Sequence, residues 1–292
     1  MLKSVAIFSS EINERTKKVI NNIIRGFSGK AIKIYFYDRA GQLNDIGEKG
    51  SIEKFLSPAD LSEKPELIMS IGGDGTFLET MTMVKDLQVP VAGINTGRLG
   101  FLANISEDEV CQALEMLYNN DFDIVERSLL EINEPAGKFG GYDPVALNEV
   151  TIQKSGLNMI TITVFVDEVY LNTYWADGLI VSTATGSTAY NLSAGGPILP
   201  PGDESIIISP LSAHNLTVRP IVLPGHSKLR MFVESRNNEY LATCDFRVEK
   251  LLSGQQIQIK KSDTKLKTVM LKGHDFYSTL RDKLMWGADK RN

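Results

Sequence analysis

Residues 70–80, SIGGDGTFLET, follow the apolar run Leu67, Ile68 and Met69, and Phe77, Leu78, Met81 and Val84 then recur at helical spacing. An apolar run that ends in glycines and resumes with a period near 3.6 reads as a strand turning into a helix. The turn sets Gly72, Gly73 and Gly75 around one carboxylate, Asp74. A glycine-rich turn before a helix normally brings backbone N–H groups close to phosphate. An acid is unfavourable there unless it binds a metal carried by the phosphate or takes a proton from a hydroxyl about to attack it. Either use implies phosphoryl transfer. The plainer reading is a tight turn in which Asp74 or Thr76 caps the helix. Two other glycine loops fail on residue type: no lysine lies between Pro65 and Met83 to make a Walker loop, and Gly75 has no glycine three residues on to complete G-x-G-x-x-G.

Outward from this turn, the first hundred residues alternate short apolar runs with helical patterns, as a parallel sheet with crossover helices does. Strands are expected at Ser4 to Phe8, Ile32 to Tyr37, Leu67 to Ile71 and Val89 to Ile94, with a helix whose buried stripe is Val19, Ile20, Ile23, Ile24 and Phe27. Residues 41–64 read as a loop with one short helix. Ser106 to Asn120 forms a helix with a capping box from Ser106 and Glu109 and a buried face of Val110, Ala113, Leu114 and Leu117, expected to join two domains.

From about Phe122 the pattern becomes β-rich, with strands expected at Val145 to Gln153, Met159 to Val166, Val169 to Tyr174, Leu179 to Ser182, Lys228 to Glu234, Tyr240 to Thr243, Gln256 to Lys260 and Lys267 to Leu271. By count this is an antiparallel β domain. A last helix carries Phe276, Leu280 and Leu284 on one stripe and is expected to pack back on the first domain. The expected domains are therefore residues 1–104 with the terminal helix 275–292, a linking helix 105–121, and a β-rich domain 122–274.

At 292 residues, with 42% hydrophobic and 23% charged side chains, the chain can bury a core without covalent staples. A net charge of −5 argues against a general nucleic-acid binder. Cys111 and Cys244 match no zinc spacing and are expected as buried thiols, which fits a reducing cytoplasm. The apolar stretch in MLKSVAIFSS, about five residues, is too short for a signal-peptide core, and no segment approaches the roughly 18 apolar residues that a membrane helix needs. His214, His226 and His274 have no metal-ligand spacing, so no protein-built metal site is expected.

Two further stretches carry chemistry. Residues 176–197, ADGLIVSTATGSTAYNLSAGGP, crowd Ser182, Thr183, Thr185, Ser187, Thr188 and Ser193 around Gly186, Gly195 and Gly196. They read either as a polar surface loop or as a place where backbone approaches a polar ligand closely, with Tyr190 supplying contact to a base. Ser187 lacks the flanking glycines of a hydrolase elbow. In LNEVTI, Asn148 and Glu149 are adjacent, so both meet one ligand only at a strand end, bulge or loop mouth.

G-G-D-G-T at Gly72 to Thr76, N-E at Asn148 and Glu149, and D-G-L-I-V-S-T-x-T-G-S-T-A-Y-x-x-S-x-G-G-P from Asp177 to Pro197 together resemble the NAD kinase family in order and separation. The first motif alone is shared with diacylglycerol-kinase-like and phosphofructokinase-like enzymes; the long segment through Tyr190 is far more specific. GINTGRLGFL, residues 93–102, also looks like the family's loop after the fourth strand. The resemblance implies ATP-dependent phosphorylation of NAD on the 2′-hydroxyl of its adenosine ribose to give NADP, with a divalent cation, Mg²⁺, arriving with the ATP. It implies a Rossmann-like α/β N-terminal domain, an antiparallel β-sandwich-like C-terminal domain, a site in the crevice between them, and a homodimer or homotetramer; the composition adds the expectation of a cytoplasmic protein with no nucleic-acid or membrane partner. Asp74 would be the general base, with Gly72, Gly73 and Thr76 forming the phosphate loop and Gly75 lying against substrate. Asn148 and Glu149 would hold ribose hydroxyls, Asp177 would contact the nicotinamide side, and Thr188, Ala189, Tyr190 and Ser193 would line the nucleotide site.

Some positions depart from the family pattern. Ala184 stands where many relatives have proline, Trp175 where bacterial relatives are often basic, and Phe246 and Arg247 where relatives often carry a small residue and then an amide. Arg247 is retained as a ligand-binding candidate. A lipid or sphingoid kinase shares the glycine turn but has no need of Asn148, Glu149 or the Thr185 to Tyr190 segment. A catalytically silent NAD or NADP sensor is disfavoured only by the presence of Asp74.

Overall fold

The computed structural model describes residues 1–39, 41, 46, 52–97 and 100–285. The chain divides into two units, Met1–Val125 with Lys267–Asn292, and Glu126–Leu266.

The first unit runs β1 (Ser4–Phe8), α1 (Glu14–Phe27), β2 (Lys33–Tyr37), β3 (Ile52–Phe55), β4 (Leu67–Gly72), α2 (Asp74–Val84), β5 (Val91–Asn95), β6 (Ile105–Ser106) and α3 (Val110–Tyr118). The strands pair in parallel in the order β3-β2-β1-β4-β5, with Val5 opposite Leu67 and Ile68 opposite Val91. Every residue of β1 and β4 is buried, as expected of central parallel strands covered on both faces. Asn13 caps α1, accepting from the Arg15 and Thr16 N–H groups, and the expected apolar stripe of Val19, Ile20, Ile23, Ile24 and Phe27 is buried. These side chains meet Val5, Ile7, Leu67, Met69 and Ile71 of the sheet and Ala113, Leu114 and Leu117 of α3 in one core.

Ser106 and Glu109 form the expected capping box at a short 3₁₀ turn, Glu107–Glu109, ahead of α3. This helix is not a linker. It packs on α1 inside the first unit, because its four buried residues supply the apolar face that α1 requires. Within 41–64 the structure adds β3, which pairs with β2 and buries Phe55, and a 3₁₀ turn, Pro58–Asp60, where a short helix was expected. Most of residues 40–51 lie outside the described residues, as do Arg98, Leu99 and residues 286–292, over which the terminal helix was expected to continue.

The chain leaves the first unit along β7 (Phe122–Glu134) and continues as β8 (Val145–Ala146), β9 (Glu149–Lys154), β10 (Ile160–Val166), β11 (Val169–Ala176), β12 (Gly178–Ser182), α4 (Tyr190–Ser193), β13 (Ile206–Leu211), β14 (Ile221–Leu223), β15 (Leu229–Glu234), β16 (Glu239–Cys244), β17 (Arg247–Leu252) and β18 (Gln256–Leu271). Two antiparallel layers share the core of the second unit. One has the order β14-β13-β12-β9-β16-β17, and the other includes β11-β10-β15-β18. Ile160, Ile162, Val164, Met231 and Ile257 alternate into the core from one layer and Val150, Ile152, Leu179, Val181 and Ala242 from the other. The expected strand 145–153 is broken at Leu147 and Asn148, and the two strands expected between 256 and 271 are one.

The expected boundaries at 104, 122 and 274 shift for a physical reason: β7 and β18 each begin in one unit and end in the other, so the change of composition near Phe122 marks a strand start. After β18, whose Thr268 pairs with Val91 of β5, Asp275 caps α5 (Phe276–Leu284) in the first unit. Leu280 is buried in α5, but Phe276 is only half-buried and Leu284 is exposed, so the apolar stripe is narrower than its sequence pattern. Cys244 is buried, whereas Cys111 is exposed on α3, contrary to expectation. Among the described residues no helix is long and apolar enough to cross a membrane.

Truncating Ile23, fully buried in the first core, should cost about 2–5 kcal/mol because the cavity it leaves collapses only partly. Urea unfolding of Ile23→Ala should show a lower midpoint with an unchanged slope.

Candidate functional site

In the first unit β4 ends at Gly72, whose φ of +153° and tight approach to Thr76 exclude a side chain; a Cβ there would sit 2.3 Å from the Thr76 hydroxyl. Gly73 is the N-cap of α2 and has no side chain with which to cap it. Asp74 occupies the first turn, yet its carboxylate turns away from the helix. Oδ2 accepts the Phe101 N–H at 2.8 Å, and Oδ1 accepts those of Leu102 and Ala103 at 3.1 and 3.0 Å. The expectation that Asp74 or Thr76 caps the helix is therefore replaced: Asp74 fixes the loop after β5. Gly100 makes the approach possible, since a Cβ on it would lie 1.7 Å from Oδ1. The Thr96 N–H, bonded to the Gly72 carbonyl at 3.2 Å, ties the same loop to the glycine turn. A carboxylate offers about four lone-pair positions, so among the described residues the three amides leave one on Oδ2. Beyond the Cα atoms of Gly73 and Gly75 there is open space.

In the second unit Asn148 ends the break after β8 and Glu149 opens β9, the strand-end position that lets adjacent side chains serve one ligand. A residue that sequence reasoning passed over builds this corner. Asp245, whose side chain is fully buried, accepts the N–H groups of Leu147 at 2.9 Å, Asn148 at 2.8 Å and Glu149 at 3.2 Å. Its only signal in the sequence was its place in the turn between two β-rich segments. The Asn148 carbonyl accepts the Thr183 N–H at 2.9 Å, and Gly186 packs so closely on that carbonyl that a Cβ would come within 2.1 Å.

Arg247 does not stand free for a ligand. Buried, it donates to the carbonyls of Asp143, at 2.7 Å, and Val145, and its guanidinium lies 3.9 Å from Asp245. Glu149 is 8% exposed, and its Oε2 is buried without a hydrogen-bond partner. Burial, then the neighbouring Asp245 charge, push its carboxyl up to about 8 against a weaker opposing pull from the Tyr190 N–H. Burial raises the Asp245 carboxyl as well, against the three amides and Arg247, which favour its charge.

The long hydroxyl-rich segment folds as a 3₁₀ turn, Thr185–Thr188, followed by α4. Ser187 is buried and exchanges hydrogen bonds with the Leu199 backbone, a structural part unsuited to a nucleophile. Asn191 is likewise internal, bridging Ser187, Pro197 and Ser209. The Thr188 and Ser193 hydroxyls donate to the carbonyls of Thr185 and Tyr190, keeping their acceptor sides available, while the Tyr190 ring is exposed and Ala189 bridges the two turns. The structure thus gathers Asn148, Glu149 and the segment following Ser182 at one end of the β9–β12 pair, where Ser182 is opposite Glu149. Asp177 precedes the other end of β12, five residues and roughly 16 Å of strand away, and pairs with Lys154 at 2.6 Å. Trp175 is exposed on β11. Among the described residues no cluster of three His, Cys, Asp or Glu side chains is arranged to hold a metal.

The raised Glu149 carboxyl makes folding pH-dependent. The folded protein keeps a proton that the unfolded chain loses near 4.5, so stability is full below that pH and falls towards about 8, by up to about 1.4 kcal/mol per pH unit. Glu149→Gln should remove that decline and unfold later than the wild type at pH 8, measured by denaturant titration across pH 4–9.

The family model of the ATP-NAD kinase N-terminal domain matches residues 30–122, and that of the C-terminal domain matches residues 147–271. The NAD kinase of Flavobacterium johnsoniae is 39% identical over 99% of both chains, and that of Cytophaga hutchinsonii is 44% identical over 82% of this chain and 81% of its own. Among solved structures, yeast NADH kinase complexed with NADH superposes with a TM-score of 0.87 at 22% identity, covering 99% of this chain and 89% of its own. An NAD kinase from Archaeoglobus fulgidus in complex with ATP does so with 0.71 at 23%, covering 92% and 94%. Both domain models match in chain order and the Flavobacterium relative aligns almost end to end, so the chain belongs to the NAD kinase family.

Proposed function

We infer that this protein transfers the γ-phosphate of ATP to the 2′-hydroxyl of the adenosine ribose of NAD, giving NADP. The single observation that carries the reading is Asp74: three amides fix its carboxylate, and one lone pair on Oδ2 remains to take a proton. The acid removes the ribose proton as the oxygen attacks, and the open glycine turn at the start of α2 receives phosphate through backbone N–H groups. Because phosphoryl transfer passes through a loose transition state, alignment and charge neutralisation supply most of the remaining rate.

The second unit supplies the sugar and base contacts. Asn148 and Glu149 hold ribose hydroxyls, with Glu149 protonated and able to donate, and Thr188, Ala189, Tyr190 and Ser193 line the adenosine end. Asp177, at the far end of β12, suits the nicotinamide end of an extended dinucleotide. Arg247 is omitted from the binding set because backbone carbonyls occupy it. A divalent cation is proposed to accompany the ATP as a complex of the donor, on the family resemblance. The parallel order β3-β2-β1-β4-β5 supports a Rossmann-like reading of the first unit, and a cytoplasmic homodimer or homotetramer is proposed on the family resemblance.

A silent NAD or NADP sensor is the second reading, favoured by the structural use that the fold already makes of Asp74. Production of NADP from NAD, ATP and Mg²⁺, followed with a coupled dehydrogenase, decides between them. Asp74→Asn should lower kcat by about 10²–10⁴-fold while NAD still binds. Tight NAD binding with no turnover in the wild type would establish the sensor. Gly100→Ala keeps the acid but drives a methyl group into Oδ1, so it should also lower kcat, by about 10²-fold if misplacement of roughly 1 Å follows. Full activity in that variant would show that the placement of the carboxylate is immaterial.

A further inference from the structure

Lys283 lies on α5, the C-terminal helix of the first unit, and half its surface is covered. Its ammonium stands 4.1 Å from the centre of the Phe101 ring, and the Phe101 backbone N–H is the donor that holds Asp74 Oδ2. Burial holds the Lys283 amine below its usual range, against a weaker opposing pull from the Asp74 carboxylate. Among the described residues Lys283 makes no ion pair within 4 Å, whereas the α5 neighbours Arg281 and Asp282 are exposed. The glycine turn itself has no lysine, and α2 carries no basic residue in its sequence. Among the described residues this half-buried ammonium has a ring face and no paired acid, whereas desolvated cations are ordinarily paired. It fits a centre that takes up an anion.

We propose that Lys283 is a positioning residue of the transfer centre: its charge, delivered by α5 across the Phe101 ring, lets the Asp74 carboxylate and the phosphates of a nucleoside triphosphate occupy the same turn. This rests on the phosphotransfer reading given above. The Coulomb argument is direct. An acid and a polyphosphate a few ångströms apart repel each other, and a cation near both reduces that repulsion most where water is excluded. The plain alternative is that the lysine stem merely covers Phe101, as long cationic side chains often cover apolar surface. Methionine separates the two, because it keeps a long apolar stem against the ring and removes the charge.

The experiment is an initial-rate comparison of wild type, Lys283→Met and Lys283→Arg, with ATP varied at saturating NAD and NAD varied at saturating ATP. Lys283→Met should lower kcat/KM for ATP by about 10–100-fold, chiefly by raising KM for ATP, with KM for NAD unchanged; Lys283→Arg should recover most of the loss. Thermal unfolding identifies a variant that fails to fold, in which case Lys283→Gln takes its place. Equal rates in wild type and Lys283→Met, equal losses in the Met and Arg variants, or a parallel rise in both KM values would overturn the role of the charge. If the wild type makes no NADP, the phosphotransfer reading falls and this inference with it. If the wild type turns over and Lys283→Met matches it, only this inference falls.

Discussion

One interaction recurs in both units: an aspartate carboxylate that gathers three successive backbone N–H groups. Asp74 holds Phe101, Leu102 and Ala103, and Asp245 holds Leu147, Asn148 and Glu149. Three consecutive amides turned to one side cannot satisfy one another, and a carboxylate is the compact acceptor that meets all three. The loop carrying Gly100 and the strand end carrying Glu149 therefore take their shapes from an acid some distance away in sequence. A glutamine-type amide cannot stand in for either carboxylate without presenting its own N–H₂ to one of the donors. The geometry of the site thus depends on charge as well as on shape.

That dependence gives the acid in the glycine turn two reasons to be there. Read from sequence, an aspartate amid glycines was a helix cap, a base or a metal ligand. In the fold it is also the pin of the neighbouring loop, and Gly100 is the residue that leaves room for the pin. The two uses are compatible because the amides occupy three lone-pair positions and leave the fourth. A base held on three sides, as proposed for Asp74, would have little freedom to turn, which suits a reaction whose rate depends on alignment.

The parts of the fold that sequence revealed are those governed by local periodicity. β1, α1, β4 and the capping box of Ser106 and Glu109 stood out because the apolar spacing and the cap are read within a few residues. β3 did not, since two charged residues in four conceal a short edge strand whose evidence is its partner β2. β17 is hidden by the same mixture of charges, and the placing of α3 on α1 follows from a shared core that no single helix announces. In the site, the glycine turn, the Asn148–Glu149 pair and the hydroxyl-rich segment were legible as patterns. The contacts of Asp245, Gly100 and Lys283 were not, because each is made with a residue 26 to 182 positions away in sequence. Arg247 was misjudged for the same reason, as its partners are backbone carbonyls far back in the chain.

The corner built by Asp245 also shows what the second unit gives up in stability. Two carboxyl groups and a guanidinium are buried beside β9, where apolar residues of similar size would pack without desolvating charge. Arg247 Nε and Glu149 Oε2 remain without partners, and each unsatisfied buried polar atom costs on the order of 1–3 kcal/mol. Neither atom is needed to hold the sheet, which is completed by the ladders on both sides of β9. An unpartnered carboxyl oxygen at a strand end, beside a loop whose hydroxyls keep their acceptor sides available, is instead the arrangement that a sugar's alternating donors and acceptors would complete. A sugar hydroxyl bound as proposed above would meet the Glu149 oxygen and offset part of that cost.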